Sequence, residues 1–199
     1  RVAQELNADI IALQEVDFPR QDHAPIAPWL AQKTGMIAIG GPVWSREGVG
    51  YGNALLSRYP VDRVRRWDLS VGRHEPRGAL DVELTICGRT VHVLNTHLGL
   101  WPRERPQQAD RLLELLSLSR RDLTILMGDL NEWHGWGKSL RGLRRVFGSP
   151  AAPVTFPARW PVLALDRIWI FPAQALLTVE AHDTPRSRLA SDHLPVKAD

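Results

Sequence analysis

A chain of 199 residues with 44% apolar content can bury one substantial core, and it lacks the apolar run of ~20 residues that a membrane-spanning helix needs. The 25 Lys+Arg exceed the 22 Asp+Glu by three, a net charge of +3 with a pI near 9.5, which excludes a strongly acidic protein and suits a phosphate-bearing partner. A lone cysteine, Cys87, excludes an internal disulfide and permits a reducing compartment, so a cytoplasmic setting is the expectation. The basic excess is arginine, with lysine only at Lys33, Lys138 and Lys197. Arginine forks match phosphate oxygens, although a GC-rich coding bias produces the same excess.

No internal repeat, low-complexity tract or long linker breaks the chain, so residues 1–199 are expected to form one domain. The chain opens at Arg1 in what reads as the end of a helix, over about Arg1–Leu6 and closing at Asn7, as a piece of a longer protein would. Asp9–Gln14 carries a near-continuous apolar run that suits a strand buried on both faces. Pro25, Pro28 and Gly35 bracket a short helix with Trp29 and Leu30. Strands are expected near Met36–Ile39, Gly52–Ser57 and Arg63–Leu69. Leu80, Val82, Leu84 and Ile86 alternate with Asp81, Glu83 and Thr85, which predicts a strand with one wet face. Cys87-Gly88-Arg89 turns it into a hairpin partner that includes Val91 and Val93. Ala109, Leu112, Leu113 and Leu116 fall at helical spacing within Arg103–Ser119. Leu123–Met127 is a further strand. Ser139–Phe147, stopped by Gly148, is a basic helix with Leu140 and Leu143 inward. Strands close the chain at Asp166–Phe171, Leu176–Glu180 and Pro195–Ala198. Hairpins mixed with strand–helix–strand units indicate an α/β fold with mixed sheets.

The chemically useful residues share one habit: they stand at the ends of apolar strands, where α/β folds build sites. Glu15, the pair Asn95 and His97, the pair Asp129 and Asn131, then Asp166, Asp192 and His193 all do so. Taken one at a time, an acidic residue after a strand is usually a turn former or cap. As a set, three or four carboxylates with two histidines are costly to gather without a cation. Carboxylate and amide oxygens are the hard donors that suit Mg2+ or Mn2+. A zinc site is disfavoured, because there is no Cys pair and no two-His helix.

Ala8-Asp9-Ile10-Ile11-Ala12-Leu13-Gln14-Glu15, Asn95-Thr96-His97-Leu98, Gly128-Asp129-Leu130-Asn131, Leu165-Asp166-Arg167-Ile168 and Ser191-Asp192-His193-Leu194-Pro195 follow one another in an order that resembles the endonuclease/exonuclease/phosphatase (DNase I-like) superfamily. Gly52-Asn53-Ala54-Leu55-Leu56-Ser57 and Glu75-Pro76-Arg77-Gly78-Ala79-Leu80 are similar to family segments in a less diagnostic way. Thr155-Phe156-Pro157-Ala158-Arg159 resembles small bacterial members of undefined substrate. The resemblance implies a four-layer α/β sandwich, two mixed sheets face to face with helices outside. It also implies a strand ahead of Arg1 that this chain does not contain. By the same resemblance, Glu15 is a metal ligand for Mg2+ and Asp192 lies near the metal. Asp129 and Asn131 position water and phosphate, His193 is catalytic with Asp166 fixing it, and His97 acts on the leaving side.

The reaction implied is in-line attack of water on a phosphate ester, foremost as a phosphodiesterase or nuclease. Hydrolysis of a phospholipid or inositol phosphate is the second reading. A non-catalytic binder of a phosphate ligand is the third, and no stable protein partner is inferred. His193 as base with His97 as acid is the preferred division, with Asp129 as base its rival. Arg63, Arg65 and Arg66, and separately Arg141, Arg144 and Arg145, would track a phosphate backbone or form solvated faces. Trp133, His134 and Trp136 would rim the site. Trp101, Trp160 and Trp169 are expected to pack.

Overall fold

The computed structural model describes residues 1–18, 26–43, 50–119 and 122–199; Pro25 lies outside them. The element order is α1 (Val2–Leu6), β1 (Ile10–Phe18), α2 (Ile26–Thr34), β2 (Ile37–Val43), β3 (Gly50–Ser57), β4 (Val61–Asp68), β5 (Gly78–Ile86), β6 (Arg89–His97), α3 (Arg105–Ser119), β7 (Leu123–Asp129), α4 (Lys138–Phe147), β8 (Asp166–Phe171), β9 (Val179–Ala181), α5 (Ser187–Ala190) and β10 (Val196–Ala198). No helix among the described residues is long and apolar enough to cross a membrane.

Two main sheets carry the fold. One is antiparallel, in the order β1-β3-β2, and the other has five strands in the order β4-β5-β6-β7-β8. The larger sheet is mixed, because β6 and β7 run parallel while its other pairs are antiparallel. A parallel pair needs a long crossover, and α3 supplies it. Ile39, Leu55, Leu80, Val82, Leu84, Val91 and Val93 form the apolar layer between the sheets. On the outer face of the larger sheet, Leu94, Leu126 and Trp169 pack against Leu112, Leu116, Leu140 and Leu143 of α3 and α4. Ala31 of α2 packs with Ile11 and Leu56 outside the smaller sheet. Helix, sheet, sheet and helix thus make four layers, as expected.

Several local features follow from sequence. Asn7 ends α1 in the left-handed region at φ 45°, which a short amide side chain tolerates. Cys87 and Gly88 both have positive φ, 51° and 75°, the pair of angles a two-residue hairpin turn needs. Other elements differ from expectation. The strand expected at Leu176–Glu180 shrinks to Val179–Ala181, preceded by a short 3-10 turn over Ala173–Ala175. Strand β5 has no wet face: Asp81 and Glu83 are buried. Alternation reports side-chain chemistry and not exposure, and here the polar side is covered by its own partners. Asp81 Oδ1 lies 2.7 Å from His92 Nε2, Trp67 Nε1 donates to Asp81 Oδ2 at 3.0 Å, and Arg65 donates to Glu83 at 2.5 Å. Arg65 is committed there and does not form one phosphate-tracking face with Arg63 and Arg66.

Buried amides tie the two sheets together: Asn53 Nδ2 donates to the Gly78 carbonyl at 2.8 Å, and Asn95 makes three further bonds. Asn95 Nδ2 donates to the carbonyls of Leu13 at 3.1 Å and Ala54 at 2.8 Å, and its Oδ1 accepts from Gln14 Nε2 at 2.7 Å. Asn95 is fully buried, so removing it strands acceptors with no access to water. Asn95→Ala is expected to lower unfolding stability by about 2–3 kcal/mol, read as a fall in urea midpoint. A change below about 0.5 kcal/mol, the range of neutral surface changes, would show that the amide is dispensable.

Candidate active site

Register sets the site. In the parallel pair, His97 at the end of β6 lies level with Asp129 at the end of β7, and Asp129 in turn lies level with Asp166 at the start of β8. Gly128 makes the close approach possible. Its φ is +144°, and a Cβ there would sit 1.8 Å from the Thr96 carbonyl, so only glycine fits before Asp129. Beyond Asp129 the chain turns at Asn131, φ 50°, and the Asn131 backbone N–H donates to Asp129 Oδ1 at 2.7 Å. A carboxylate held by a backbone N–H two residues on is a local turn that Asp favours.

The smaller sheet delivers Glu15. From Leu13↔Ala54 to Val16↔Gly52, β1 advances three residues while β3 advances two, so one extra residue bulges out. Glu15 takes the strained left-handed conformation at φ 54°. The bulge re-aims its side chain, which is 71% exposed, with Oε1 3.9 Å from His97 Nδ1.

His97 is defined by its neighbours. Asn131 Nδ2 donates to the Leu98 carbonyl at 2.9 Å, which fixes the amide's orientation, and the same nitrogen lies 3.0 Å from His97 Nε2. His97 Nε2 must therefore accept, and the imidazole proton sits on Nδ1, toward Glu15. The ring is 3.5 Å from Asp129 Oδ2, close enough for an ion pair, yet burial and then the nearby Arg77 charge hold its pKa down to about 3. The amide geometry and the electrostatics agree on a neutral ring, so the His97–Asp129 contact is not an ion pair.

Asp129 and His193 move the other way. Burial, then the neighbouring Asp166 charge, pushes the Asp129 carboxyl up to about 6. At His193, burial opposes the charge, but the hydrogen bond and charge of Asp166 outweigh it and raise the pKa to about 8. His193 Nδ1 donates to Asp166 Oδ2 at 2.8 Å, and the same oxygen accepts from Thr155 Oγ1 at 2.5 Å. Phe156 packs on the His193 ring at 4.8 Å between centroids.

The structure therefore links Glu15, His97, Asp129, Asn131, Asp166 and His193 through a continuous series of contacts. Asp192 is the outlier. Among the described residues its exposed carboxylate accepts from the Ser191 hydroxyl at 3.4 Å, and it reaches the set through its charge on His193. Asp129, Asp166 and His193 bring three ligand atoms within 4.8 Å of one another, a group that could hold a metal ion. Asp166 Oδ2 already serves two donors, whereas Glu15 is an exposed oxygen donor beside His97. The donor set is hard and fits a divalent cation.

Sequence reasoning missed Arg77 as a site residue. It is 3% exposed, lines the cleft with Glu15 and His97, and leaves its Nε without a hydrogen-bond partner. Glu75 accepts from Arg77 Nη2 at 2.7 Å. The buried guanidinium places a fixed positive charge beside the cleft, felt at His97 and Asp129. The Glu75–Leu80 segment had marked its neighbourhood, but its burial depends on β5 docking under β3. Thr155 and Phe156 likewise stood in a noted segment without a role.

With this geometry in place, comparison with known proteins decides the family. The family model described as "Endonuclease/Exonuclease/phosphatase family" matches residues 1–193. The chain belongs to the endonuclease/exonuclease/phosphatase family. Protein YbhP of Escherichia coli (strain K12) is 31% identical over 214 residues, covering 98% of this chain and 83% of YbhP. Among solved structures, an endonuclease/exonuclease/phosphatase family protein from Leptotrichia buccalis superposes with TM-score 0.78 at 14% identity, covering 100% of this chain and 89% of the other. The Bacteroides thetaiotaomicron mannosyl-6-phosphatase Bt3783 gives TM-score 0.73 at 16% identity, covering 100% and 87%. These likenesses show the shared fold of this family member.

The Asp166–His193 pair carries a pH signature. The folded pKa of His193 is raised from 6.5 to about 8, so the pair's stabilisation is complete below pH 6.5 and is lost as pH rises through about 8. Asp166→Asn removes the compensating charge and leaves burial dominant. The His193 imidazole resonances, followed by NMR, are expected to titrate about one unit lower or more. An unchanged midpoint would show that another group sets it.

Proposed function

We propose that this chain, acting as one domain over residues 1–199, is a Mg2+-dependent hydrolase of phosphate esters, foremost a phosphodiesterase. The observation that supports this most is the spread of proton affinities in one cleft: a carboxyl poised near 6 at Asp129 beside an imidazolium poised near 8 at His193. Neighbouring groups pushed apart in this way assign base and acid. Family membership adds the reaction class, since family members act on phosphate esters.

In this reading Asp129 accepts the proton of the attacking water, because at neutral pH it is the group both ionised and basic. His193, charged and held by Asp166, donates to the phosphate or leaving oxygen. His97 stays neutral and donates through Nδ1–H, so it serves as a hydrogen-bond donor to a phosphate oxygen and not as the acid. Asn131 orients both His97 and Asp129. Arg77 offers positive charge to the phosphate. Glu15 would hold the cation, with Asp192 at its outer side, and Mn2+ would fit the same oxygen donors. Bound there, the ion supplies Lewis-acid neutralisation of the charge on the phosphate oxygens.

Turnover of bis-p-nitrophenyl phosphate is expected to require Mg2+ or Mn2+ and to stop with EDTA. Activity should rise as pH passes about 6 and fall above about 8, following Asp129 and His193. His193→Ala and Asp129→Asn should each lower kcat by about 100-fold to 10,000-fold. Wild-type rates with EDTA, or from either variant, would remove the reading. Plasmid DNA and phospholipid run in parallel separate the nuclease reading from the lipid one.

A further inference from the structure

The antiparallel register of β5 on β6, the parallel register of β6 on β7 and the antiparallel register of β7 on β8 place four connections at one end of the large sheet. These are the segments leading into β5 and β8 and those leaving β6 and β7, around the cleft. Three of them carry bare apolar tips, whereas the segment leading into β5 exposes Arg73, His74 and Glu75. Leu100 and Trp101 after β6 are each 62% exposed, Trp133 and Trp136 after β7 are 61% and 80%, and Trp160 and Val162 before β8 are 79% and 70%. Trp169 packs as expected, at 2% exposure, whereas Trp101 and Trp160 do not. Arg103, Lys138 and Arg159 stand exposed among them.

The tips after β6 and β7 are anchored. Arg105 Nη1 donates to the Leu100 carbonyl at 2.6 Å, its Nε lies 3.6 Å from Glu132 Oε2, and Ser139 donates to the same carboxylate at 2.6 Å. Arg105 and Glu132 are buried, so this polar clamp joins the two loops from beneath. Grouped apolar side chains at such exposure mark a contact surface.

We propose that this rim is a docking surface for an anionic lipid bilayer, so that the ester cleaved is one presented at a membrane surface. The inference deepens the phosphodiesterase reading and rests on it for the reaction. Single-stranded nucleic acid is held chiefly by stacking on free aromatic faces. Here aliphatic Leu100 and Val162 are bared with the indoles, and His74 and His134 each already stack against a ring, on Trp101 at 6.0 Å and Trp136 at 5.4 Å. Indoles at headgroup depth, aliphatics below and cations beside them match an interface. Arg103, Lys138 and Arg159 complement anionic headgroups.

The test is cosedimentation of the protein with vesicles of phosphatidylcholine alone and of phosphatidylcholine mixed with phosphatidylglycerol. Wild type is expected to sediment with the mixed vesicles. Trp133→Ala with Trp136→Ala, and separately Arg103→Glu with Lys138→Glu, should weaken partitioning about tenfold or more while bis-p-nitrophenyl phosphate turnover stays unchanged. Equal sedimentation of wild type and both variants, or a single-stranded DNA complex that depends on Trp133 and Trp136 without any vesicle binding, overturns the proposal. Rim-dependent vesicle binding without turnover of the soluble diester upholds the docking surface and removes the phosphodiesterase reading. Turnover without vesicle binding does the reverse.

Discussion

The parallel register of β6 on β7 is the constraint on which the site depends. It sets His97 beside Asp129 and, through β8, Asp129 beside Asp166. Three polar residues from distant parts of the chain become neighbours because backbone hydrogen bonds at fixed spacing leave them no other place. A slip of one residue would turn each side chain to the opposite face of the sheet. Gly128 protects that register at its tightest point, where only hydrogen fits against Thr96.

Placing these groups between two sheets has an electrostatic consequence. Burial alone would neutralise every one of them. It succeeds at His97, whose lone pair is used by Asn131 and whose charge is opposed by Arg77. It is outweighed at His193, where Asp166 sits in direct hydrogen-bond contact. At Asp129 burial and a neighbouring carboxylate act together. The same cleft thus holds a neutral imidazole, a charged imidazole and a carboxyl of intermediate affinity. Similar side chains acquire different tasks from their surroundings.

Much of the fold was legible in the chain. Apolar runs marked β1, β7 and β8, helical spacing marked α3 and α4, and Cys87-Gly88 marked a hairpin. These signals are local, since each rests on side chains within a few residues. The strand pattern misled at β5, because Asp81 and Glu83 looked wet and are buried. Their partners, His92, Trp67 and Arg65, come from neighbouring strands that no local pattern names. Trp101 and Trp160 misled in the opposite sense: they were expected to pack, and their loops leave them exposed.

Residue order alone carried the motif sequence that marks the family and the fold class, and it named the candidate residues; Glu15, expected at a strand end, instead stands at a bulge inside β1. Chemistry and turn propensity act along the chain, so sequence carries them. Tertiary structure alone decided the tautomer of His97, the part of Arg77, the separate standing of Asp192 and the bare rim around the cleft. Each of these depends on desolvation and on contacts between residues far apart in sequence, which exist only once the sheets have closed.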